Sequence, residues 1–551
     1  MADDLVHLLL ETHPNAAAKN ILQFEAKIGL AQNWDWQHIL DSYISHSTIG
    51  LPPAICALIE HVHRHSLPRD PFSIPASNKP PRLTGMSPKK AYEVFRMATY
   101  VAFVAQNLPY DSGVYIVDIG AGQGHLARAM SSTVPDIRGI LALDGDEIIV
   151  KKSNLQSETP KVTHRLGYIT SPAGIIDAVD EWISEIHAGP ERVPVIIVSL
   201  HGCGSLSIDV LRAFVQGCRN DEGRNWSFVA SVTVPCCYNL LRESDSFPLP
   251  PSKKHDETSP PPSPPPPQTS ILPIPLPPNA YHLAAQVPNM WVIPNLNSNT
   301  SISVAPPASL AVRKVVWRAL LEFCLLDSRR QSEDSSSSSS IAPTLRPRPK
   351  FIPPMEANTY FVNQANHSTR TADLSKSSNP SHPNAHPSRD VDLDLDPDSD
   401  QRTGHLASSD SLPGNIARLG RLPSRAYESW NMYLEVAGGR AGVDLSRFGE
   451  REKGVGEGEK EEEEEDNAYY RKKVERVLGI LHVLRCILGP LIESQLLMDR
   501  VEWMRGELEE EMGRERGYAV ELVPLFSQVG DGTGGGGSAR NMAVVILPKC
   551  K

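Results

Sequence analysis

The sequence predicts an α/β protein. Its doubly wound, mostly parallel sheet closes with a C-terminal antiparallel hairpin, follows a helical N-terminal domain and is broken by long disordered insertions. Three observations predict this. An apolar run at 114–117 ends in Asp118 and is followed by glycines at alternate positions, Gly120, Gly122 and Gly124. Apolar strand-like runs then alternate with helical patterns to about residue 240, the rhythm of a parallel sheet with crossover helices. Two further strand patterns, 519–526 and 541–547, stand at the far end of the chain.

In residues 1–84, Leu5, Leu8, Leu9, Ile21, Phe24, Ile28, Ile39 and Tyr43 recur at helical spacing, and Trp34 and Trp36 would anchor a small core. The stretch 51–60 reads as a helix opening with proline in its first turn. Residues 85–242 hold the first part of the sheet. A helix runs from Pro88 to about Gln106, and strands fall at 114–118, 140–144, near 162–169, 193–200 and 228–234. The run at 193–200 is apolar throughout, as a parallel strand covered on both faces should be.

The chain then changes character. Residues 243–280 are proline-rich and 328–412 rich in Ser, Pro and Asp, and neither buries enough apolar surface to offset its ordering entropy. Between them, 281–327 is partly ordered, with a helix over 311–327. Residues 413–449 read as helical, 450–468 as an acidic Gly/Glu loop, and 469–551 as long helices interrupted near Gly489-Pro490 and then the closing hairpin. The two ends of the sheet thus belong to one fold that the inserts interrupt.

The net charge of −11 is concentrated in presumed loops: 450–466 carries ten acids against three bases and 389–402 six against two, leaving the remainder near neutral. Strong non-specific affinity for nucleic acid is not indicated. Eight cysteines in 551 residues make no disulfide framework and suit a reducing compartment. The N-terminus lacks a basic signal-peptide region, and no apolar run reads as the ~20 residues of a membrane span. Cytoplasm or nucleus is the expected location.

The glycine turn indicates the ligand. A dinucleotide fingerprint, G-x-G-x-x-G, fails from Gly120; from Gly122 its third position is Ala127, a tolerated small residue. The pattern D-x-G-x-G-x-G fits better and resembles motif I of class I S-adenosylmethionine-dependent methyltransferases. That resemblance implies a Rossmann-like methyltransferase sheet with S-adenosylmethionine as cofactor. Asp118 would orient the turn and the cofactor's amino group; Gly120, Ala121, Gly122, Gly124 and His125 would line the methionine portion. Asp144 ends the second strand, 20 residues after Gly124, where a carboxylate can accept from both ribose hydroxyls. Asp146 is the other candidate, and either acid could instead cap the next helix.

Ligands of open parallel sheets bind beyond the carboxyl ends of the strands. The fourth strand ends in His201-Gly-Cys203 and the fifth in Pro235-Cys236-Cys237-Tyr238, so His201, Cys203, Cys236, Cys237 and Tyr238 are the catalytic candidates. Three mechanisms compete: His201 or Tyr238 as general base, a cysteine nucleophile as in pyrimidine C5 methylation, or a zinc site of His201 and the three cysteines. The paired C-x₂-C spacing of zinc sites is missing, so no metal is expected. N/D-P-P-Y/F, which amino-methylating enzymes carry after the fourth strand, is absent.

Several phrases together resemble the methyltransferase-like protein 25 family, which includes the ribosomal RNA adenine dimethylase domain-containing protein. They are 86–94 (MSPKKAYEV), 118–126 (DIGAGQGHL), 199–206 (SLHGCGSL), 235–241 (PCCYNLL), 488–494 (LGPLIES) with 498–500 (MDR), and 538–541 (SARN). The family has His where Tyr92 stands and Pro where Ala539 stands. The fourth-strand phrase is also distantly similar to tRNA ribose 2′-O-methyltransferases, which makes RNA the expected substrate; Lys89 and Lys90 would meet its phosphates. The alternatives are a protein methyltransferase, or a non-catalytic scaffold whose P-x-x-P runs at 260–267 dock a protein partner.

Overall fold

Val114–Ile119 (β1) is buried at every position because helices cover both of its faces. Its side chains alternate between two cores: Tyr115, Val117 and Ile119 enter one, Val114 and Ile116 the other. The computed structural model describes residues 2–11, 25, 28–29, 34–74, 86–110, 112–155, 160–219, 223–250, 276–293, 303–334, 344–345, 416–417, 419, 422–449, 458–512, 517–528 and 537–549.

Around β1 stand Ile137–Asp144 (β2), Val162–Leu166 (β3), Val193–Cys203 (β4), Trp226–Cys236 (β5), Tyr518–Pro524 (β6) and Met542–Pro548 (β7). Their order across the sheet is β6-β7-β5-β4-β1-β2-β3. The strands from β5 to β3 pair in parallel, and β7 runs antiparallel to both β5 and β6. The sheet reverses direction between β1–β2 and β1–β4, so the crevice of this open sheet lies beyond the tips of β1 and β4.

Crossover helices are His125–Thr133 (after β1), Glu147–Leu155 (after β2), Pro172–Ile186 (after β3) and Ser205–Arg219 (after β4). Pro88–Gln106 precedes β1, with Ser87 Oγ accepting from the Lys90 N–H and proline in its first turn. It packs with His125–Thr133 on one face of the sheet. The opposite face is much thicker. There Ser205–Arg219 and Pro172–Ile186 share a core with Ala2–Glu11, Trp36–Ser45, Pro53–His65, Pro306–Asp334, Trp430–Ala441, Gly458–Ile487 and Gly489–Met512.

The N-terminal helices therefore share a core with the C-terminal helical layer rather than forming one of their own. Arg485, almost fully buried, donates to the Leu9 carbonyl across that junction. The helix expected over 311–327 runs on to Asp334. The expected acidic loop at 450–468 is helical from Gly458: glutamate and lysine are good helix formers when a buried segment continues the helix. The proline-rich stretch 251–275 and residues 346–415 lie outside the described residues. Contrary to the sequence expectation, Tyr469–Glu510 is long and apolar enough to cross a membrane. Its most apolar window is 89% buried within the fold, as a core helix would be.

Candidate active site

The turn after β1 is held by its own backbone and one acid. The N–H groups of Gly120 and Ala121 donate to the Leu143 carbonyl at 2.9 and 3.0 Å, and that of Gly122 donates to Asp144 Oδ2 at 2.8 Å. Gly120, Gly122 and Gly124 all take positive φ (73°, 55° and 68°), a region costly for residues bearing a Cβ. Their missing side chains serve different ends. A Cβ on Gly122 would meet nothing within 4 Å, whereas one on Gly124 would lie 2.1 Å from His164 Cε1. Contrary to expectation, then, Gly124 is bare to admit the buried His164 ring from β3, and Gly122 alone presents open backbone.

The two acids divide their roles differently from the sequence reading. Asp118 is buried, and no group among the described residues bonds its Oδ2. Burial and then the nearby Asp144 charge push its carboxyl up to about 7. It does not hold the turn, which Leu143 and Asp144 do. Asp144 Oδ1 also accepts from the Asp146 N–H at 2.9 Å; each of its oxygens keeps one acceptor site. Asp146 caps the next helix, its Oδ1 accepting from Ile148 and Ile149 N–H.

His125 opens the helix after the turn, with Arg128 Nη2 3.0 Å from its Nδ1. Burial, with Lys90 and Arg128 charges, holds His125 down to about 4, so the ring is neutral near pH 7. Arg128 also donates to the Gln123 carbonyl at 2.7 Å. Lys89 Nζ lies 3.8 Å from Glu93 Oε1, and Lys90 is exposed.

At the tips of β4 and β5 the register slips between Ser199 and Gly202, and His201 there adopts φ 77°. Such strain in a non-glycine residue persists only when its surroundings enforce it. His201 Nε2 lies 3.1 Å from Glu93 Oε2, and Glu93 Oε1 accepts from Ser538 Oγ at 2.6 Å. Burial works against the Glu93 carboxylate, but the hydrogen bonds from His201 and Ser538 outweigh it and hold its pKa low. Glu93 is thus a buried anion gripping a part-exposed imidazole.

Cys203 and Cys236 are register partners on adjacent parallel strands, with Sγ atoms 3.2 Å apart. Cys237 follows at φ 51°, its Sγ 3.7 Å from that of Cys236. Hydrogen bonds from Cys203 and Cys236 hold the Cys237 thiol well below the usual range, with the Arg540 and His201 charges adding to the effect. Cys236 is pushed up, mainly by its bond with Cys203.

Tyr238 is corrected outright. It is buried in the helical core, and its hydroxyl donates to Glu493 Oε1 at 3.1 Å. Glu493 Oε2 in turn accepts from Arg69 Nη1 at 2.6 Å. Burial and the Glu493 charge raise its pKa far above the usual value. The left-handed turn at Cys237 sends the tyrosine inward, so it serves as a structural anchor. Glu93, Ser538 and Arg540 escaped the sequence reading although all three stand in phrases that carried the family resemblance; their signal was present but no chemistry had been assigned to it.

Residues 89–244 match a family model described as a methyltransferase domain. The fold is also similar to solved structures. In the complex between the Haloferax volcanii Trm112 methyltransferase activator and the putative methyltransferase, identity is 16%, coverage 28% of this chain and 58% of that one, and TM-score 0.17. For the 23S rRNA methyltransferase ErmE the figures are 13%, 25%, 45% and 0.16. For coclaurine N-methyltransferase bound to N-methylheliamine and SAH they are 13%, 42%, 61% and 0.18. This chain spans about half the length of these structures.

Proposed function

We propose that this chain is an S-adenosylmethionine-dependent methyltransferase that acts on RNA. The observation that carries the reading is the bare backbone at Gly122, open to at least 4 Å and flanked by the Asp144 carboxylate. The unpartnered Asp118 Oδ2 supports it, being a buried oxygen suited to a cationic ligand group. The cofactor supplies an activated methyl. Asp144 would hold its ribose through the two acceptor sites left free, and Gly122 would admit its methionine portion. His201, oriented by Glu93, would take the proton of the attacking oxygen or nitrogen. Positioning of the nucleophile between the β4 and β5 tips would carry most of the rate.

RNA is favoured over protein by Lys90 and Lys89 in the first turn of Pro88–Gln106. Lys89 already has the Glu93 carboxylate 3.8 Å away, but Lys90 is exposed at a helix N-terminus, whose free N–H groups favour an anion such as phosphate. Isothermal titration with S-adenosylmethionine tests the cofactor: the wild type should bind, and Asp118→Ala and Asp144→Asn should bind at least tenfold more weakly. No heat from the wild type would leave only a scaffold role. Radiolabelled methyl transfer to RNA and protein fractions from cells lacking the protein tests the substrate; label in protein alone would overturn the RNA assignment.

A further inference from the structure

The pairing of β4 with β5 gathers three thiols that lie 33 and 34 residues apart in the chain. The Sγ atoms of Cys203, Cys236 and Cys237 all lie within 4.8 Å of one another, two of the separations being 3.2 and 3.7 Å. Three thiolates bound tetrahedrally to zinc at about 2.3 Å would stand roughly 3.8 Å apart. A disulfide would need about 2.05 Å. Little movement separates this arrangement from a metal site.

We propose that Cys203, Cys236 and Cys237 bind one zinc ion as three thiolate ligands, with the fourth position open. A further observation supports this. Arg540 carries its charge beside the cluster, and its buried Nε has no hydrogen-bond partner among the described residues. Three thiolates around a dication leave one negative charge, which this guanidinium would balance.

His201 Nε2 is engaged by Glu93, and His201 is not among the converging ligand atoms. The fourth position is thus left to water or an incoming soft or anionic donor. Cys203 is exposed, so the site reaches solvent at the carboxyl end of the sheet. Soft thiolates favour zinc, copper(I) or iron–sulfur clusters over magnesium or calcium. Binding releases the protons of whichever thiols are still protonated. The zinc inference does not depend on the methyltransferase reading.

The full chain, purified under reducing conditions without chelator, should carry roughly one zinc per chain by elemental mass spectrometry. Cys203→Ser and Cys237→Ser should each lower that content at least fivefold while keeping the circular dichroism of the wild type. Cobalt(II) added to chelator-stripped wild type should give thiolate-to-cobalt charge-transfer absorption, absent in both variants. Because Cys236 is buried and its variant could fail to fold, the two other positions carry the test. The proposal is overturned by wild type that neither contains nor takes up zinc, by undiminished zinc in both variants, or by copper or iron in place of zinc. A disulfide among the three cysteines in freshly isolated protein, detected by non-reducing peptide mapping, would equally overturn it.

Discussion

Glu93 Oε2 lies 3.1 Å from His201 Nε2 across 108 residues of sequence, joining the first turns of the helix before β1 to the strained tip of β4. A carboxylate buried to 4% side-chain exposure faces a histidine open to solvent, which is how a positioned base is held. His201→Ala should lower methyl transfer roughly 10²-fold, with S-adenosylmethionine affinity unchanged by titration. Glu93→Gln keeps the shape and should cost about tenfold in kcat, again without loss of cofactor affinity. An equal loss of cofactor binding would show that Glu93 supports the fold of the pocket instead.

The glycines separate by the same logic. Gly122→Ala meets no neighbour but must hold φ 55°, costing about 1–2 kcal/mol in stability and at least tenfold in cofactor affinity. Gly124→Ala would drive a Cβ into the His164 ring and should lower Tm more than Gly122→Ala does. The double variant Gly124→Ala/His164→Ala should recover part of that loss. Calorimetric melting of the four proteins decides it.

Asp118 predicts a pH dependence. Its folded pKa of about 7 exceeds its unfolded value of 3.8. Between these values the native state keeps a proton that the unfolded chain has lost, so this group makes stability fall as pH rises through the window. Asp118→Asn should flatten that part of the stability profile, read by urea denaturation at several pH values. If Asp118 meets a cationic cofactor group, wild-type affinity should rise with pH across the upper part of the window, and the Asn variant should show no such rise.

Tyr238→Phe removes only the hydroxyl bond to Glu493 and should cost about 1 kcal/mol, with methyl transfer within twofold of wild type. Glu493→Gln also removes the charge facing the mostly buried Arg69, which keeps its bond to Asn541 Oδ1, and should cost roughly 3 kcal/mol. Denaturant midpoints and a turnover assay on the same preparations check both. A large drop in turnover for Tyr238→Phe would return that hydroxyl to the reaction.

Much of the fold was legible because its signals are local. The run at 114–117, the glycine turn and the apolar β4 stretch each carry their own periodicity, and Pro88 marked its helix start to the residue. The closing strands were legible for the same reason, although about 280 residues separate β6 from β5. Helix limits near charged stretches were less legible, as Gly458–Ile487 shows, because a buried continuation rather than local composition decides them.

By itself, the sequence determined the order of strands and helices, the positive-φ turn that only glycine fills cheaply, and the acid placed at the end of β2. The tertiary structure alone decided which glycine faces open space, that Glu93 and Ser538 reach His201, that Tyr238 turns into the core, and that three cysteines without paired spacing converge. These are contacts between residues far apart in the chain. They depend on strand register and on which face a helix presents, and periodicity specifies the face of an element but not its partner.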